Sequence, residues 1–136
     1  MIKRNPRILV VDDFETVRLF LINALSQIGI DNVDEAANGV EALERIQKCH
    51  KAGQPFDIVF CDWNMPEMTG LELLHRLRST PEYAQLPFVM VTAESESASV
   101  ESAAKAGTTD YITKPFTVDG LRDKIETIFN RLAKAV

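Results

Sequence analysis

One pattern recurs five times along this chain: a short β-branched run followed by a stretch of helical periodicity. Ile8-Leu-Val-Val11 is the first predicted strand, and Val17, Leu21, Leu25 and Ile28 then share one helical face that ends at Gly29. Asn32–Ala36 is a second, weaker strand, closed by the turn pair Asn38-Gly39. Ala42, Leu43, Ile46 and Gln47 mark a helix that stops before Ala52-Gly-Gln-Pro55. Asp57-Ile-Val-Phe-Cys61 is a continuous apolar run, as a strand covered on both faces should be. The loop Asp62–Gly70 leads to a helix with Leu71, Leu74 and Leu77 inward, then to the strand Leu86–Val91. Val100, Ala103 and Ala104 mark a small-residue helix capped by Gly107. Asp110–Thr113 is the fifth strand, closed by Lys114-Pro115. Leu121, Ile125, Ile128, Phe129 and Leu132 form the stripe of the last helix.

Strands alternating with helices imply parallel pairing through right-handed crossovers. The expectation is a doubly wound α/β fold: a flavodoxin-like, five-stranded parallel sheet of order 2-1-3-4-5, with five helices on its two faces. At 136 residues it is expected to be one domain, 1–136, with a core of about 7–132. Such sheets bind ligands at the carboxyl ends of strands 1 and 3.

That topology gathers scattered residues. Asp12 and Asp13 end the first strand and Asp62 ends the third, its neighbour about 4.8 Å away. Two carboxylates about 5 Å apart repel by roughly 3 kcal/mol at an effective dielectric of 20, so at least one should have a raised pKa. A hard divalent cation relieves the cluster. With few protein oxygens it should be Mg²⁺, which keeps several waters and completes its shell from phosphate. Taken singly, Asp13 could cap the first helix and Asp62 could open a turn. Thr92 and Lys114 end the fourth and fifth strands at the same crevice, and a hydroxyl and a lysine suit a transferring phosphoryl group. Asp62 could then be the nucleophile of an aspartyl-phosphate.

Val11-Asp-Asp-Phe14, Cys61-Asp-Trp-Asn-Met-Pro66 with Thr69-Gly70, Val91-Thr-Ala-Glu94 and Tyr111-Ile-Thr-Lys-Pro-Phe-Thr117 resemble the receiver domains of two-component response regulators, above all the single-domain chemotaxis regulators. The resemblance spans roughly residues 7–132. It implies that Asp62 accepts a phosphoryl group from a histidine kinase of the CheA type. Asp13, Asp62 and the backbone carbonyl of Asn64 would bind Mg²⁺, with Asp12 acting through a water. Thr92, the Ala93 backbone and Lys114 would bind the phosphoryl group. Thr92 and Tyr111 would form a switch, Tyr111 following the hydroxyl inward; a half-buried core ring is the alternative for Tyr111. Asn64 and Glu94 would tune dephosphorylation, and Lys114-Pro115 would be a cis bond. The surface of the fourth helix, the fifth strand and the last helix would then change and alter partner binding. Such a protein is a switch and not an enzyme, beyond self-catalysed phosphotransfer and slow autodephosphorylation.

Two features set the chain apart from chemotaxis regulators. The approach to the fourth helix, Glu94–Ser102, has three acids and no base, and Lys48–Pro55 reads as a connection longer than usual. Both leave the phosphorylation chemistry alone but weaken an assignment to the flagellar motor. The expected target is a flagellar motor switch protein or another protein, and a receiver of a non-chemotaxis pathway, or one cut from a longer regulator, is the alternative. An Mg²⁺-dependent phosphohydrolase needs a cap that has no room after the first strand. A flavin carrier would present phosphate to Asp12-Asp13, which repel it.

The net charge of −5 argues against nucleic acid or anionic lipid as partner. The basic start is followed by too short an apolar run for a secretory signal. A cytoplasmic monomer is expected. Cys49 and Cys61 read as free thiols, Trp63, Met65 and Met68 as loop contacts, and His50 and His75 as solvated.

Overall fold

A computed structural model describes residues 5–63, 65–93, 107–114 and 116–134. Its sheet comprises β1 (Ile8–Val11), β2 (Val33–Ala36), β3 (Ile58–Asp62), β4 (Phe88–Ala93) and β5 (Asp110–Lys114). Every pair is parallel and the order is β2-β1-β3-β4-β5, as expected. Among the described residues there are four α-helices: α1 (Glu15–Gln27), α2 (Gly39–Lys51), α3 (Gly70–Arg78) and α4 (Val118–Lys134), with a 3-10 turn at Pro81–Tyr83. The helix expected around Val100–Ala104 and its acidic approach lie outside the described residues, as does the Leu132 side chain.

Strand side chains alternate between two cores. Leu9, Val11, Val59, Cys61, Phe88 and Met90 pack with residues of α2 and α3 on one face. Ile8, Val10, Ile58, Phe60, Val89 and Val91 pack with residues of α1 and α4 on the other. The central strands are buried on both sides, so their sequences read as unbroken apolar runs. On α3 the inward residues are Leu73, Leu74 and Leu77, each fully buried and each contributing about 2 kcal/mol. Leu71 is only partly buried, packed against the edge of this core.

Local signals explain most boundaries. Gly29 (φ 89°) ends α1: its N–H donates to Ser26 O and that of Ile30 to Leu25 O, the paired bonds of a Schellman motif. Thr69 and Glu72 form a capping box at α3. Two expectations shift. Asn38-Gly39 does not make a free turn; the Asn38 side chain accepts the Glu41 N–H at 2.8 Å and starts α2. Lys48–Lys51 is not connection but the last turn of that helix, whose negative end suits the lysines. The connection proper begins at Ala52, with Gly53 at φ 76°. Cys49 and Cys61 are free thiols, and no helix among the described residues is long and apolar enough to cross a membrane.

Candidate functional site

The carboxyl ends of β1, β3, β4 and β5 meet in one acidic crevice. Asp12 follows β1 and is 1% exposed. Its backbone N–H donates to Ala36 O, and its Oδ1 accepts the Phe14 N–H at 2.9 Å. Arg18, one turn into α1, donates from Nη1 to the Asp12 carbonyl at 2.7 Å and from Nε to Glu35 Oε1 at 2.7 Å. This arginine ties β1, α1 and β2 together behind the crevice. Asp62 ends β3, with Oδ1 accepting the Trp63 N–H at 2.9 Å.

Lys114 bridges the acids. Its Nζ lies 3.2 Å from Asp12 Oδ2 and 3.3 Å from Asp62 Oδ1. Burial would lower the lysine pKa, but the charges of Asp62 and Asp12 outweigh it and raise it. Asp62 is raised to about 6, first by burial, then by the Asp12 charge; Lys114 and the Trp63 N–H pull the other way. One acid with a raised pKa is thus present as expected, although burial is the larger cause, ahead of the expected repulsion. Burial and the same two aspartates also push the Cys61 thiol well up, which keeps it an inert neutral filler.

Asp13 completes the cluster. Ligand oxygens of Asp12, Asp13 and Asp62 all lie within 4.8 Å of one another. Asp13 does not cap α1: the N-cap is Phe14, which has no side-chain cap. Asp13 Oδ1 is buried with no hydrogen-bond partner. A buried carboxylate oxygen without a partner costs several kcal/mol unless a cation meets it, so the donor set fits a hard divalent ion.

Thr92 lies in β4, fully buried, in register with Thr113 and one residue before the Ala93–Lys114 pair. Asn64, Glu94 and the Lys114-Pro115 bond lie outside the described residues. Tyr111 is no core ring: it is 42% exposed, with the Lys124 ammonium 5.3 Å from its ring centroid. Trp63 is half-buried, and Met65 and Met68 are buried in the α2–α3 core beneath the loop. His50 and His75 are exposed, His50 resting edge-on against Tyr83.

Two positioning residues escaped the sequence reading. Arg18 carried no signal, because a lone arginine on a helix names no partner. Gly70 follows Thr69 with no local turn signal to explain it: a Cβ there would lie 2.2 Å from the Asp62 carbonyl oxygen. Only glycine lets α3 start against the end of β3.

A doubly wound parallel sheet with an acid triad and a lysine at its switch point is the architecture of a signal receiver. The chain belongs to the response regulator receiver domain family, which matches residues 8–126, and so to two-component signalling. It is 42% identical over 132 residues to chemotaxis protein CheY-3 of Vibrio cholerae, covering 97% of this chain and 98% of that protein. It is likewise 42% identical to chemotaxis protein CheY1 of Helicobacter pylori, covering 90% and 95%. Among solved structures it resembles the chemotaxis response regulator CheY4 of Vibrio cholerae, at TM-score 0.79 and 31% identity over 90% of this chain and 98% of that one. A putative response regulator from Chloroflexus aurantiacus gives TM-score 0.82 and 33% identity over 92% and 98%.

Proposed function

We propose that the chain is a cytoplasmic phosphoacceptor switch in which Asp62 takes a phosphoryl group from a histidine kinase of the CheA type. The observation that carries this reading is the convergence of Asp12, Asp13 and Asp62 around Lys114, with one Asp13 oxygen buried and unpartnered. An Asp62 carboxylate oxygen attacks phosphorus, the P–N bond of the phosphohistidine breaks, and its electron pair stays on the imidazole. Lys114 exchanges its contact with Asp62 for one with the new phosphoryl oxygens, and Thr92 and the Ala93 N–H donate to them. Asp13, Asp62 and the Asn64 carbonyl would hold Mg²⁺, with Asp12 bound to it through water; when bound, the ion neutralises charge building on the phosphoryl oxygens. Asn64 and Glu94 tune hydrolysis. As Thr92 turns to the phosphoryl group, Tyr111 follows inward and changes the surface offered to a flagellar motor switch protein or another protein target.

Trp63, the only tryptophan, reports the chemistry because it adjoins Asp62 in the chain and its backbone N–H donates to Asp62 Oδ1. Mg²⁺ and then beryllofluoride or acetyl phosphate should change its fluorescence in two steps. An identical response from Asp62→Asn to the phosphoryl mimic would remove Asp62 from the acceptor role. Micromolar, mimic-enhanced binding to a flagellar motor switch peptide assigns the target; its absence points to another protein.

A further inference from the structure

Tyr111 needs a physical reason to stand outward in the resting protein, and one lies outside the acidic crevice. Its β5 neighbour Ile112 is buried, whereas the Tyr111 ring is 42% exposed. Lys124, in the second turn of α4, sets its Nζ 5.3 Å from the ring centroid and 3.1 Å from Asp110 Oδ1. Asp110 Oδ2 pairs with Arg131, seven residues further along the same helix. Asp110 Oδ1 also accepts the Tyr111 N–H at 2.7 Å. Burial opposes the Asp110 charge, but the Tyr111 N–H, Lys124 and Arg131 outweigh it and hold the carboxyl below its usual range. The carboxylate therefore anchors the backbone of Tyr111 and the cation above its ring at once.

We infer that Lys124 is a positioning residue: anchored by Asp110, it holds the Tyr111 ring outward and so sets the resting balance of the switch. The inference rests on the switch reading above. A ring that turns inward leaves the ammonium, and that contact is lost only in the activated state. Linkage then makes the two sites reciprocal. Whatever favours the inward ring binds more tightly once the outward contact is gone. At an exposed cation–π contact the effect is about two- to fivefold.

The test uses the full chain carrying fluorotyrosine, which labels only Tyr83 and Tyr111; Tyr83 is the internal control. Lys124→Met keeps the aliphatic stem and deletes the charge. Without ligand, the Tyr111 fluorine resonance should move toward a buried environment while that of Tyr83 stays. With Mg²⁺, beryllofluoride should bind about threefold tighter than to wild type. Simple loss of a cation weakens anion binding, so the sign separates the two causes. The gain should vanish when Lys124→Met is made in Tyr111→Ala. Asp110→Asn should give a similar gain, and combining it with Lys124→Met should add little. Unchanged or weaker binding, an unmoved Tyr111 resonance, or the same gain without the ring each overturns the inference. If wild type ignores beryllofluoride the phosphoacceptor reading falls, and the ligand-free fluorine shift still decides the clamp.

Discussion

Burial and the Asp12 charge lift the Asp62 carboxyl from 3.8 to about 6, so between those values the folded protein binds more protons than the unfolded chain. Stability contributed by this group is then present at low pH and lost as pH rises from about 4 through 6. Melting in chelator should show that decline, and Asp62→Asn should flatten it. Mg²⁺ works in the opposite sense, since it needs the carboxylate; its affinity should rise through pH 6. Asp13 carries the second prediction at this scale. Its Oδ1 is buried without a partner and it does not cap α1, so Asp13→Asn removes an uncompensated charge. The variant should melt about 4 °C higher in chelator, for roughly 1 kcal/mol. A rise absent, or matched by the control Glu126→Gln away from the crevice, would show that Asp13 is not under electrostatic strain.

Each acid is held at its place by an element that begins or ends beside it. The α3 helix starts at Gly70, in contact with the Asp62 carbonyl oxygen. Gly70→Ala must push the helix or the strand end aside, and should cost about 2 kcal/mol or more in denaturant melts. The loss of beryllofluoride response should exceed that of Gly53→Ala, where a Cβ meets nothing within 4 Å and only the positive φ is strained. Arg18 joins α1 to β1 and β2 through the Asp12 carbonyl and Glu35, and its side chain is 14% exposed. Arg18→Ala should weaken Mg²⁺ binding about tenfold, as loss of an outer partner does, with Trp63 fluorescence as the readout. Glu35→Gln should do less, because the bond to Asp12 survives.

Over the whole molecule, an ion held in the crevice would be coupled to folding. The two cores on either side of the sheet hold β1, β3 and β5 in register, and the acid triad exists only in that register. A divalent ion bound there adds stability by mass action, about 2.7 kcal/mol at a hundredfold excess over Kd. Wild type should therefore melt progressively higher as Mg²⁺ is added and fall back in chelator. Asp13→Asn should stay flat across the titration. A full Mg²⁺ response in that variant would place the ion on other residues.

Strand and helix order was legible in the residues because periodicity reports burial locally, and right-handed crossovers leave few topologies for alternating elements. From that order alone Asp12, Asp13, Asp62, Thr92 and Lys114 fall at neighbouring strand ends. Side-chain direction was not legible. Lys114 reaches Asp12 across 102 positions and Asp62 across 52, and a bridge of that kind depends on strand register to within one residue. The same holds for Arg18 on the Asp12 carbonyl, for the close approach at Gly70, and for the absence of a cap role for Asp13. Tyr111 shows the division most directly. Its place on β5 follows from the pattern of the chain, but its outward ring depends on Lys124 and Asp110 meeting across the α4–β5 contact. Local periodicity carries no term for such a meeting, which arises only when two distant segments are packed together.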